Sequence, residues 1–135
     1  MKDTTFTGFE DAMIDFFWAI RFNNNREWFA EHKATYVEKI YEPMKALARE
    51  VCAGMEARYG LESLWRCSRI YRDARRPQPQ GPYRDHIWFV LAQQERWSIA
   101  PTFYAEISAE GISYGFGSYN CPPDFMKNMR AAMEA

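Results

Sequence analysis

Six arginines lie within residues 66–84, namely Arg66, Arg69, Arg72, Arg75, Arg76 and Arg84, with Asp73 as the single acid among them. A guanidinium group is planar, permanently charged, and presents its donors in a fork that matches carboxylate and phosphate oxygens. The segment carries a net charge of +5, while residues 1–65 and 85–135 carry −3 each. The whole-chain charge of −1 therefore conceals a basic patch on an acidic protein. Two uses compete for that patch. Strand arginines can pair with acids of packed helices, such as Glu27, Glu31 and Glu38, in contacts that contribute only about 0–1 kcal/mol each when exposed. Alternatively they converge on a bound anion. Pairing is the commoner fate of any one arginine, but six with one local acid leave positive charge uncompensated.

Other polar groups extend the candidate site. Arg26 follows Asn25 at a helix start, where free backbone donors and the helix dipole favour an anion; its alternative is to cross to Asp73. Lys33 and Tyr36 share its helical face. Asp73, if buried, must be paired, with Arg72 and Arg75 as the obvious partners; if exposed, it is an acid, base or ligand group with a depressed pKa. His86 serves as a general base if Asp73 or Asp85 orients it, although a satisfied core histidine is the commoner role. The catalytic candidates are thus His86 and Asp73, with no reaction specified. The ligand-binding set is Arg26, Arg69, Arg72, Asp73, Arg75, Tyr83 and Arg84. One histidine cannot make a metal site, and the three cysteines, Cys52, Cys67 and Cys121, form no C-x-x-C pair, so neither metal nor cofactor is implied. Free thiols are expected, with neither Cys67 nor Cys121 activated as a nucleophile.

The elements that must position these groups follow from hydrophobic spacing. Phe9, Met13, Phe16, Phe17 and Ile20 predict an amphipathic helix over about 9–22. Asn23-Asn24-Asn25 breaks it by tolerating left-handed backbone, and Asn25 caps a helix that starts at Arg26 and runs to about Tyr41. Pro43 predicts a kink or restart, followed by the stripe Met44, Leu47, Val51 and Met55, ending at Tyr59-Gly60. A strand is expected from Leu64 to Tyr71. Pro77, Pro79 and Pro82 make residues 76–82 an extended loop held at both ends. Ile87 to Leu91 is apolar at both parities, as in a strand covered on both faces. Residues 102–108 and 112–117 alternate as one-sided strands, joined by a hairpin at Ala109-Glu110-Gly111. Gly115 and Gly117 call for something bulky against their face, either Trp or Tyr side chains from a helix or a ligand, packing being the commoner cause. A short helix follows Cys121-Pro122-Pro123.

Helices first and an antiparallel meander second is the α+β pattern: N-terminal helices on one face of a mainly antiparallel sheet, with a short C-terminal helix. We expect a single domain over 1–135, helical over about 9–59, sheet over about 64–117 and closed by a helix over about 123–133. At 47% hydrophobic, 17% aromatic and 26% charged, the chain can bury enough surface to fold. The longest apolar run, Ile87 to Ala92, is far below the roughly 20 residues of a membrane span. With no signal-like start either, a cytoplasmic location is expected.

Several of these stretches together resemble the bacterial and fungal domain-of-unknown-function 2461 family. They are Phe6-Thr7-Gly8-Phe9, Asn23 through Phe29 with Tyr36, Arg69-Ile70-Tyr71-Arg72-Asp73, Pro82-Tyr83, Tyr104 through Ser108 with Glu110-Gly111, and Gly115-Phe116-Gly117. The resemblance implies an α+β fold and a shared site of unknown purpose, and no activity. It carries over to Arg72, Asp73, Arg75, Pro82 and Tyr83. It fails in the loop, where Ala74-Arg75-Arg76-Pro77-Gln78-Pro79-Gln80 replaces the family's Thr-Arg-Phe-Ser-Lys-Asp-Lys, so the loop lysines have no counterpart. Family members usually continue beyond the closing helix, which implies a missing C-terminal portion and a sheet face left bare or covered by a partner chain.

The leading expectation is a cleft in which Arg69, Arg72, Arg75 and Arg84 contact a small phosphate- or carboxylate-bearing ligand. Asp73 would orient them, and Tyr83 and His86 would add polar or acid–base contacts. The alternative is a non-catalytic interaction module or homodimer using the Pro-Gln loop and an open sheet face. Nucleic acid is disfavoured by the net charge of −1.

Overall fold

The computed structural model describes residues 5–92, 102–117 and 122–135. Helices α1 (Asp11–Phe22), α2 (Arg26–Tyr36) and α3 (Glu42–Tyr59) precede strands β1 (Leu64–Cys67), β2 (His86–Ala92), β3 (Thr102–Ser108) and β4 (Gly111–Gly117), and α4 (Pro123–Glu134) follows. The four strands form an antiparallel sheet in the order β1-β2-β3-β4. The chain is therefore of the α+β class. Cys121, with the rest of residues 118–121, lies outside the described residues.

The α1 stripe buries Met13, Phe16, Phe17 and Ile20, although the helix starts at Asp11 and Phe9 packs from the segment before it. The three asparagines then do three different jobs, none requiring left-handed backbone, since the described residues with positive φ are all glycines. Asn23 donates to Ala19 O at the end of α1, and the Asn25 side chain accepts from Trp28 N as the predicted N-cap of α2. Asn24 reaches across to the sheet.

The second helix is α-helical only to Tyr36. Val37–Tyr41 widens into a π turn that runs directly into α3. The break expected at Pro43 is thus taken up ahead of it, and the proline sits in the first turn of α3, where a missing N–H costs little. Met44, Ala46 and Ala48 are buried, whereas Leu47, Val51 and Met55 lie at the margin of the core. Gly60 ends α3 at φ +66°.

Strand β1 stops at Cys67, short of the expected Tyr71. The next rung is capped by a side chain, because Trp88 N donates to the Ser68 hydroxyl (3.0 Å) in place of a backbone carbonyl. Pairing resumes only as an isolated bridge between Tyr71 and Tyr83. Three residue steps separate Ser68 from Tyr71 against five from Trp88 to Tyr83, so no continuous ladder fits.

In β2, Ile87, Phe89 and Leu91 are buried beneath the helices, but Trp88 and Val90 are only half-buried. The strand is therefore not covered on both faces; large apolar side chains at both parities mimic that pattern. Gly111 makes the hairpin turn at φ +144°. The ring of Tyr104 lies over Gly115, where an added Cβ would come within 3.0–3.2 Å of it, so the bulky neighbour comes from the paired strand β3 and not from a helix; at Gly117 no described atom would lie within 4 Å of such a Cβ.

Candidate functional site

The arginine segment is built around the Tyr71–Tyr83 bridge. Arg72 N donates to Pro82 O and Arg84 N to Ile70 O, each at 2.8 Å, so the Pro-Gln loop is pinned where it leaves and where it returns. Asn24 locks the return from the helical side. Its Nδ2 donates to Tyr83 O (2.8 Å) and its Oδ1 accepts from Tyr83 N (3.0 Å), which makes the side-chain amide a substitute for a neighbouring strand. Gly81 makes this approach possible, since a Cβ there would lie 2.4–2.6 Å from Asn24 atoms. Sequence reasoning gave Asn24 no role beyond breaking a helix; an amide is unusual in carrying both a donor and an acceptor at the end of one short arm.

The bridge rests on aromatics. Tyr83 is buried with its ring 4.4 Å from Phe29, and Tyr71, half-exposed, lies 5.6 Å from Tyr83. Burial and neighbouring Tyr71 raise the Tyr83 phenol pKa, while the charge of Arg26 works against them, which brings Arg26 to this cluster. Burial likewise pushes Tyr36 up, with Arg84 acting in the opposite direction. Tyr36, Tyr71 and Tyr83 all lie against Phe29 and form one aromatic cluster, with the Arg84 backbone bonded to Ile70 beside it.

The arginine partners are the informative part. Arg72 Nε donates to Tyr83 O (2.9 Å) and Arg84 to Arg69 O (2.6 Å), both neutral backbone acceptors. Arg26 and Arg69 make no ion pair among the described residues. The expected pairing with helix acids does not occur. Glu38 pairs with its neighbour Lys39, and the crossing from Arg26 to Asp73 is absent among the described residues. Asp73 turns to its own loop, binding Arg75 through side chain and backbone at 3.0 Å, with Arg76 at 3.9 Å. The Arg75 hydrogen bonds hold the Asp73 carboxyl down to about 2. Asp73 thus orients Arg75, which projects into solvent, and not Arg69, Arg72 or Arg84.

His86 belongs elsewhere. Its Nδ1 lies 3.2 Å from Asp85 Oδ1, and Asp85 Oδ2 accepts from Arg21 Nε at 2.6 Å. Arg21 also donates to Glu110 (2.8 Å), which accepts from the Ser108 hydroxyl (2.9 Å). The histidine side chain is 28% exposed, so it is a partly buried group with a carboxylate partner and not a fully buried core histidine. Asp85 was one of the two groups expected to orient it. The hydrogen bonds of Arg21 and Ser108 hold Glu110 down to about 2. Burial pushes Asp85 up, but Arg21 and His86 outweigh it and leave it below the ordinary range. Arg21 and Glu110 carried no sequence signal, since 89 positions separate them.

Burial pushes the Cys67 thiol to about 12, which leaves it inert near neutrality. Among the described residues, no group of three or more His, Cys, Asp or Glu side chains could hold a metal ion. A cavity of about 180 Å³ lies apart from both clusters, between residues 5–8 and the π turn, lined by Glu10, Glu38, Lys39 and Glu42 among others.

The family model DUF2461, described as a conserved hypothetical protein, matches residues 12–135. No curated protein and no solved structure matches the chain.

Proposed function

We propose that this chain, which belongs to the DUF2461 family of conserved hypothetical proteins, binds a small phosphate- or carboxylate-bearing ligand at the surface that Arg26, Arg69, Arg72 and Arg84 form around the Tyr71–Tyr83 bridge, with Tyr83 buried beneath it as support. One observation carries the reading: Arg72 and Arg84 are fixed by backbone carbonyls and not by carboxylates. A carbonyl immobilises a guanidinium without neutralising it, so the ordering entropy is already spent while the charge stays available to an incoming anion. Arg75 is the internal contrast, since its charge is offset by Asp73. Arg75 and Asp73 are accordingly left outside the proposed contact set. His86 is also outside it, because its partners are those of the Arg21 cluster. The reading is therefore one of binding, with no turnover assigned.

The test is a thermal-shift titration with inorganic phosphate, pyrophosphate, nucleotides and dicarboxylates. A saturating anion at 100 times its Kd should add about 2.7 kcal/mol to stability. The shift should shrink as salt rises, vanish in Arg69→Ala and Arg72→Ala, and persist in Arg75→Ala. No shift with any anion, or one that survives Arg69→Ala and Arg72→Ala, removes the proposal.

A further inference from the structure

The described sheet has two unlike edges. β1 is four residues long, carries Arg66 and packs against α3. β4 is seven residues long, Gly111-Ile-Ser-Tyr-Gly-Phe-Gly117, and contains no charge and no proline. Charges, prolines and short length are the usual devices that stop edge strands from pairing, and β4 has none of them.

We propose that the chain forms a two-fold homodimer by antiparallel pairing of β4 with β4 of a second copy. A two-fold axis at Tyr114 sets Ile112 opposite Phe116, Tyr114 opposite itself, Ser113 opposite Gly115 and Gly111 opposite Gly117. Apolar meets apolar and small meets small at every rung, so the strand is its own complement, as a two-fold interface requires. The same strand carries exposed apolar side chains that the opposed copy would contact at their flanks. Ile112, Tyr114 and Phe116 are 67%, 81% and 49% exposed, although they share the face that buries the core elsewhere.

Light scattering and sedimentation of the full chain should give a dimer that dissociates on dilution. Ser113→Lys and Tyr114→Lys, both at exposed positions, should yield folded monomers by circular dichroism. If Tyr114→Lys unfolds, Ser113→Lys alone decides. Register is read by cysteine cross-linking relative to the unmodified chain. Tyr114→Cys should join to its copy on mild oxidation, because directly opposed residues have Cα atoms about 4.5–5.5 Å apart, within disulfide range. Ile112→Cys should not, since its own copy lies four residues along the strand, about 13 Å away. A monomer at every concentration, a dimer that survives Ser113→Lys, or cross-linking at Ile112→Cys in preference to Tyr114→Cys overturns the proposal.

Discussion

Ile87, Phe89 and Leu91 on β2 and Ile112, Tyr114 and Phe116 on β4 lie on the same face of one sheet, two strands apart, in the same alternation. The first three are at most 3% exposed and the second three at least 49%. Their residue types do not explain the difference; their distance from the helices does. α3 packs on β1 and β2, and α1 contributes Met13, Phe16, Phe17 and Ile20 to the same core, so coverage is spent before it reaches β4. An alternating strand thus specifies which face is apolar without specifying what lies on it.

The sharpest way to break this contrast is to truncate one residue on each side. Phe89→Ala should cost about 3–5 kcal/mol in chemical denaturation, from lost transfer energy plus a cavity. Ile112→Ala, measured at a concentration low enough to keep the chain monomeric, should cost within about 0.5 kcal/mol of nothing. Equal losses would mean that β4 is covered after all.

Next in size is the clamp that holds the arginine loop to the covered half. Gly81→Ala puts a Cβ into Asn24 at a φ of +105°, and should cost roughly 2–4 kcal/mol as strain and overpacking add. Gly111→Ala at the open end meets no atom within 4 Å, so only its backbone strain remains, roughly 1–3 kcal/mol. Urea midpoints of the two variants check the order.

The smallest effect concerns the tether between α1 and the β3–β4 turn. Glu110 is held to about 2 against an ordinary 4.5, and a depressed carboxyl stabilises the fold fully above its ordinary value and loses that contribution as pH falls through the native one. Between about pH 4.5 and 2, the protection of the turn amides, taken relative to the intrinsic exchange rate at each pH, should therefore fall before that of β2 does. Arg21→Gln should remove most of that pH dependence. Turn protection that stays constant across this range, or a pH dependence that survives the substitution, would show that Arg21 does not anchor it.

Much of this architecture was legible from local pattern. The α1 stripe, the Asn25 cap, the Gly60 stop and the Gly111 hairpin follow from short-range rules that act within one turn of helix or strand. The π turn was not legible, because widening a helix by one residue per turn leaves no mark on composition. The burial of β2 was over-read, since Trp88 and Val90 are large and apolar yet only half-covered. At the site, the sequence located the arginines and the pairing of Asp73 with Arg75, but not the partners of the others. It pointed to Glu27, Glu31 and Glu38, whereas Arg72 and Arg84 take the Tyr83 and Arg69 carbonyls. Backbone acceptors are present at every residue, so no residue type can advertise one.

The sequence by itself determined the α+β class, the family, and a basic segment of +5 between two acidic ones, because periodicity, motif and charge are sums over neighbours along the chain. Only the tertiary structure decided which guanidinium groups meet backbone carbonyls and which meet carboxylates, that Arg21 reaches Asp85 and Glu110, and that β4 carries its apolar residues uncovered by the described residues. The Arg21 contacts join residues 64 and 89 positions apart, the arginine–carbonyl contacts join residues 11 and 15 apart across a loop, and the exposure of β4 depends on where helical coverage ends; the energy of such contacts is set by distances that no local pattern encodes.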